Sequence, residues 1–352
     1  MKKICVTPES IRRRNRLTLL MMLILLFAAI LLSFTLGRYP VPMRELCGIL
    51  FQQFARIFGV ETKVFWTDQM EAAVWNIRLP RVILSVMVGA ALAAAGASYQ
   101  GVFQNPMASP DILGASAGAG FGAALAILLD FSSLSITISA FAMSLASVAL
   151  VFFVSRHAKG DRVLGLVLAG IMISSLFQSG TSFIKLVADP NNKLPQITYW
   201  LMGSLSGSQW KNVRLALFPM LIGLIPLLLL RWRINVITMG DDEARAMGVD
   251  AHKVRLAVIV CSTLITAAAV SVSGMIGWVG LVIPHMMRRI TGSDYRYLMP
   301  GSILGGGIFL LAVDNVSRNA FTSGMPIGIL TAFIGAPFFL WLITGRSETY
   351  ER

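Results

Sequence analysis

Three short stretches hold polar and charged residues whose types and spacing could bind a partner or do chemistry. The first is Gly240-Asp241-Asp242-Glu243-Ala244-Arg245-Ala246-Met247-Gly248-Val249-Asp250. Asp241 is placed to cap a helix, Asp242 and Glu243 complement its positive end, and Gly248 can close it after about six residues. Asp250 can then cap the next helix. Isolated helices below about 12 residues are marginal in water. A short helix with its own start and stop signals, presenting Ala244 and Met247, therefore suits docking against another protein; an ordinary amphipathic connector is the plainer alternative. The second stretch is Gln104-Asn105-Pro106-Met107-Ala108-Ser109-Pro110-Asp111-Ile112-Leu113-Gly114. Ser109 can cap, Pro110 suits a first helical position and Asp111 favours the positive end, so a helix is expected to start there. Two prolines and an Asn105 expected to be buried, next to a glycine-rich run, fit either a plain turn or a constriction on a path through the molecule. The third is Asp314 with Arg318 four residues on, a spacing at which the two face each other along a helix and neutralise one another.

Other chemistries find little support. No G-x-x-x-x-G-K-[ST] phosphate loop occurs, so any ATP-driven role needs a partner chain. The run Gly118 to Gly122 looks superficially like a dinucleotide loop but follows no strand. His157, His252 and His285 fall at expected helix ends or loops, where solvated or capping roles are usual. The 18 methionines spread without fixed spacing and serve as flexible filling. Cys5, Cys47 and Cys261 are too far apart for a disulfide framework or a metal knuckle.

The elements that must position these residues are long and apolar. The chain has 352 residues, 56% hydrophobic and 13% charged, with a net charge of +13; a soluble domain carries about 25% charged residues. Basic residues in small groups between apolar runs suit a polytopic membrane protein rather than a nucleic-acid binder, which needs a continuous basic face. A span needs about 20 apolar residues. Ten apolar windows follow, the eighth of them shorter than a full span: Leu17–Leu36, Leu79–Phe103, Ile112–Leu129, Leu134–Val154, Val163–Leu186, Val213–Leu230, Val254–Gly274, Ile276–Met287, Leu298–Val316 and Pro326–Thr344. Reading Val254 to Met287 as one helix would give about 51 Å, too long for the bilayer, so a break is expected at Ser273-Gly274. Glycine and alanine stripes from Gly89 to Gly101 and Gly114 to Gly122 suit close helix approach. Ten spans put both termini on one side, and 19 of the 30 Lys and Arg fall on that side, which makes it the cytoplasmic one. The expected organisation is a tail over 1–16, a transmembrane domain over 17–345 with an inner segment at 239–253, and a tail over 346–352. The first apolar run has no small-x-small cleavage site after it and reads as a retained span.

Asn105-Pro106-Met107-Ala108 with Pro110 and Leu113-Gly114, the Asp242-Glu243-Ala244 to Met247-Gly248 segment, Gly277-Trp-Val-Gly280-Leu-Val-Ile-Pro284-His285-Met-Met-Arg288, and Pro326-Ile-Gly328 to Gly335-Ala-Pro337-Phe338 stand in this order on the ten-window pattern. Together they resemble the FecCD-like permeases of type II ABC importers, which carry iron chelates, haem or cobalamin. The resemblance covers nearly the whole chain. It implies an all-α integral membrane protein of about ten transmembrane helices with the type II importer permease fold, in the bacterial cytoplasmic membrane.

It also implies a homodimer, or a dimer with a close paralogue, whose path runs between the copies. Two cytoplasmic ATPase subunits would bind ATP and magnesium, this chain binding no cofactor, and an extracytoplasmic binding protein would deliver the cargo. By similarity, Arg78, Arg81 and Arg318 meet acidic residues of the binding protein; anchoring to lipid is the alternative for Arg78 and Arg81. Asp242, Glu243, Ala244, Met247 and Gly248 form the coupling helix. Asn105, Pro106 and Met107 belong to the inner gate, where Met107 replaces the usual leucine, a volume-conserving change. The Lys159 to Val163 stretch matches too loosely to transfer roles. The reading is a permease subunit without its own ATPase site, for a ferric siderophore or else haem or cobalamin. An ion-coupled carrier is the rival, although Asp314 alone is placed for proton coupling.

Overall fold

The computed structural model of the chain describes residues 8–37, 39, 41–57, 59, 64–157, 162–320 and 324–344. Cys5 and Lys159 lie outside the described residues, as do Lys2, Lys3, Arg346 and Arg352, four of the 19 basic residues on the side of the termini. Among those described the structure is all-α. The order is α1 (Pro8–Thr35), α2 (Met43–Ile57), α3 (Asp68–Ala72), a π-helical turn (Ala73–Arg78), α4 (Leu79–Val102), a 3-10 turn (Pro110–Leu113), α5 (Ala115–Leu128), α6 (Ser133–Ser155), α7 (Arg162–Val187), α8 (Lys193–Leu201), α9 (Trp210–Ile237), α10 (Asp241–Ala246), α11 (Ala251–Ser273), α12 (Val279–Thr291), α13 (Tyr295–Ala320) and α14 (Ile327–Thr344).

Each of the ten apolar windows falls on a helix: α1, α4 to α7, α9 and α11 to α14. Seven helical stretches among the described residues are long and apolar enough to cross a membrane, whereas α5 is shorter and α12 has only 13 residues. The break expected at Ser273-Gly274 is present. Gly274 adopts a φ of 68° that an L side chain resists, and α12 begins only at Val279 after an irregular segment. Irregular backbone at membrane depth is tolerated where it is buried in protein or lines a cavity.

Alanine and glycine place α4 at the centre, in contact with α9, α11, α12 and α13. A Cβ on Gly96 would lie 1.8 Å from the Gly280 carbonyl oxygen, so no larger residue permits this crossing of α4 and α12. Gly118 and Gly122 likewise meet the backbone of α6 at Met143 and Ser139. Both small-residue stripes thus pack helices within one bundle.

Helices α2 and α3 occupy a segment that the apolar windows leave unassigned. Leu46 and Ile49 of α2 bury against Phe34, Val41, Trp66, Val74, Val82 and Leu311. In the π turn the Leu79 N–H reaches back five residues to the Val74 carbonyl. The extra residue in that turn precedes Pro80, which has no N–H to give to a regular helix.

Candidate functional site

The 24 residues of α4 span about 36 Å and join two polar ends. At one end stands α10. Its N-cap is Gly240, not Asp241 as expected; Asp241 is the first helical residue, and its carboxylate binds Arg255 at 2.8 Å. The Arg255 guanidinium, donating to Asp241, holds that carboxyl below its ordinary range. Arg255 Nε also reaches the Val102 carbonyl at 3.5 Å, which ties α10 to the end of α4. The C-terminus closes as a Schellman motif: Gly248, at φ 74°, donates to the Arg245 carbonyl, and the Val249 N–H donates to the Ala244 carbonyl at 2.8 Å. Asp250 caps α11 as expected, accepting from the Lys253 N–H at 3.1 Å. This contact is the main reason its carboxyl also sits below the usual range.

One expectation for this helix is corrected. Ala244 does not face outward: it is fully buried in the core cluster that includes Ile237, Val249 and Val254. The helix must use one face to hold itself on the bundle, and Ala244 lies on it. Met247, Asp242 and Glu243 are exposed, and Met247 keeps 45% of its surface. Beside α10 lies a cavity of about 630 Å³, lined by Val163, Asp241, Arg245, Asp250, His252 and Arg255 among others.

The Gln104 to Ser109 loop sits at the same end, since the Gln104 amide donates to the Ile237 carbonyl at 2.8 Å, just before α10. Asn105 is exposed here, not buried. Its side-chain oxygen accepts from the Met107 N–H at 2.8 Å, a local turn that satisfies that oxygen without tertiary contacts and leaves the NH2 toward solvent. Pro106 and Met107 are exposed as well. Pro110 opens a 3-10 turn, but the Ser109 side chain makes no capping bond, and left-handed Gly114 delays α5 to Ala115.

At the opposite end of α4, Arg78, Arg81 and Arg318 line one cavity of about 290 Å³ together with Gly37, Tyr39, Ile77 and Ser206. All three guanidiniums have acceptors within the chain. Arg78, buried by the π turn, donates to the Phe34 and Tyr39 carbonyls. The carboxylate of Asp314, fully buried, pairs with Arg81 at 2.8 Å and with Arg318 at 3.4 Å. The i, i+4 pairing of Asp314 and Arg318 is as the spacing implied; Arg81, 233 residues away, is the partner the spacing could not reveal. Three cations therefore line the cavity, and the one anion that pairs with two of them, Asp314, lies buried behind it.

Sequence reasoning missed a third feature. Between the two ends lies a cavity of about 500 Å³ lined by Asp111, Ser116, Ser174, Gln178, Thr181, Ser182, Lys185 and the irregular Met275-Ile276-Gly277 segment. The Ser116 hydroxyl donates to the Asp111 carboxylate across the start of α5. Ser174, Gln178, Ser182 and Lys185 recur every three or four residues and so make a polar stripe on α7. That spacing was the available signal, hidden because the window from Val163 to Leu186 is apolar on average. Among the described residues no group of three His, Cys, Asp or Glu is placed to hold a metal ion.

Comparison with known proteins agrees with this architecture. The chain is 36% identical to the molybdate import system permease protein MolB of Haemophilus influenzae, over 90% of this chain and 92% of that one. It is 39% identical to the hemin transport system permease protein HmuU of Yersinia pestis, over 81% and 88%. A solved metal-chelate type ABC transporter in an inward-facing conformation superposes with a TM-score of 0.82 at 35% identity, covering 93% of this chain and 98% of its own. Residues 24–345 match the profile of the FecCD transport family, to which this chain belongs.

Proposed function

We propose that the chain is the membrane permease of an ABC importer for a metal chelate, most specifically a ferric siderophore, with both termini in the cytoplasm and ATP hydrolysed by two separate subunits. The observation that carries this is the two-ended arrangement of α4. Three clustered arginines stand at one end and a short, separately capped helix at the other, about 36 Å apart. The arginine cavity suits an acidic surface of a binding protein on the outer face. The exposed Asp242, Glu243, Met247 and Gly248 of α10 suit a cleft on an ATPase, with Ala244 setting the height of the helix on the bundle. A second copy of the chain would close the polar wall of α5 and α7 into a path, and Asn105, Pro106 and Met107 would stand at its inner mouth.

Haem and cobalamin are the alternative cargoes; hemin is named for one relative. The test is uptake into proteoliposomes holding the permease, its ATPase and its binding protein, with iron-labelled chelates, hemin and cobalamin offered in turn. ATP-dependent uptake of a ferric chelate supports the reading. Uptake that continues without ATP and collapses with the proton gradient refutes it in favour of an ion-coupled carrier. Docking of the binding protein should weaken as salt rises from about 50 to 500 mM, as expected when acidic groups approach a basic cavity that opens to water.

A further inference from the structure

The first turns of α1 carry charges that find no partner among the described residues. Arg12, Arg13, Arg14 and Arg16 are all exposed, and among the described residues none of their guanidiniums has a hydrogen bond or ion pair. The three outer arginines, by contrast, are all provided with carbonyls or a carboxylate. The inner arginines are also held in place. Asn15, nearly fully buried, donates to the Thr291 carbonyl at 2.8 Å and so fixes the first turns of α1 against the end of α12. Leu19, Met22 and Leu26 then pack toward Gly301, Gly305 and Gly307 of α13.

The face turned away from α13 has a definite pattern. Glu9, Arg12, Arg13, Arg16, Leu17 and Leu20 together form an open patch on this face of the one helix. Below it the same helical face continues through Ile24 and Phe27, both exposed. From Arg16 to Phe27 is about 16 Å, roughly half of the 30 Å hydrocarbon thickness. A cluster of guanidiniums therefore sits over an apolar strip one leaflet deep, on a helix at the edge of the bundle. A guanidinium binds phosphate oxygens in pairs, and a strip of this length suits an acyl chain.

We propose that this face of α1 is a binding site for an anionic glycerophospholipid of the leaflet on the α10 side. Arg12, Arg13 and Arg16 hold the phosphate and headgroup, and Leu17, Leu20, Ile24 and Phe27 hold one acyl chain. Glu9, at the rim, offsets part of the positive charge and favours a singly charged headgroup over a more highly charged one. The site is independent of what the protein transports.

The full chain, purified in a neutral detergent, is titrated with dioleoyl phosphatidylglycerol and with dioleoyl phosphatidylcholine, and bound lipid is read by native mass spectrometry. Phosphatidylglycerol should bind at least tenfold more tightly. R12Q/R13Q/R16Q should weaken it on the order of a hundredfold, about fivefold per arginine, and leave phosphatidylcholine unchanged. R231Q/R233Q, which removes exposed charges at the same end of α9, should change it less than twofold. Equal binding of the two lipids, an unaffected triple variant, or an equal loss in the α9 variant would overturn the proposal. So would displacement by inorganic phosphate at the concentration of the lipid, which would mean a simple anion site, or a change in oligomeric mass on the triple substitution, which would place a second copy on this face.

Discussion

Replacing Asp314 by Asn keeps the shape of the side chain and removes the one anion between Arg81 and Arg318. The carboxylate is fully buried, and its two partners keep only 15% and 10% of their side-chain surface. Two unit charges with centres about 4 Å apart attract by about 4 kcal/mol at an effective dielectric constant near 20. Two such pairs give about 8 kcal/mol, from which the desolvation of three buried ions and the repulsion between the arginines are subtracted. Removing one member of a buried network costs about 3–5 kcal/mol, because the remaining charges are left uncompensated. At about 2 °C per kcal/mol for a chain of this size, D314N should melt roughly 6–10 °C lower than the parent. The assay is thermal unfolding in detergent, followed by tryptophan fluorescence and by loss of the monodisperse peak on gel filtration. D314N combined with R81Q should cost less than the two single changes together, by about 1–2 kcal/mol, since each already breaks the same pair. A D314N melt within about 1 °C of the parent, or strict additivity of the two changes, would refute the electrostatic account of this end of the bundle.

Gly96→Val should abolish the α4 and α12 crossing, with melting lowered by more than the ~6 °C equivalent of a 3 kcal/mol overpacking and a reduced yield; Gly277→Ala, with no atom within 4 Å of its would-be Cβ, should be neutral in the same measurement. Met247→Glu should leave the melting temperature within about 2 °C of the parent while lowering recovery of the ATPase by affinity purification at least tenfold, whereas Ala244→Glu should destabilise the permease itself by several kcal/mol, because it buries an unpaired charge. Because Arg255 lowers the Asp241 pKa, the pair's contribution is present above the unfolded aspartate value of about 3.9 and fades as pH falls through the lower folded value. The protection of α10 amides against hydrogen exchange, taken relative to the intrinsic rate at each pH, should therefore hold from neutral pH down to about pH 4 and fall below it, and R255Q should show low protection even at pH 7.

The sequence alone determined the class of this protein and the course of its chain. Long apolar windows are set by composition, so all ten fell on helices, and the over-long run from Val254 to Met287 had to break where Ser273 meets a glycine. Local capping was legible too, because the Schellman turn at Gly248 and the Asp250 cap need only neighbouring residues. Which side a residue faces was not local. The local sequence turns Ala244 outward and Asn105 inward, yet the bundle buries the first and exposes the second. Arg81 meets Asp314 across 233 residues, and the polar wall of α7 becomes a cavity only when α5 and the 275–277 segment are packed against it. Helical periodicity fixes how residues are arranged around an axis. Only the packing of one axis against another decides which of them meet.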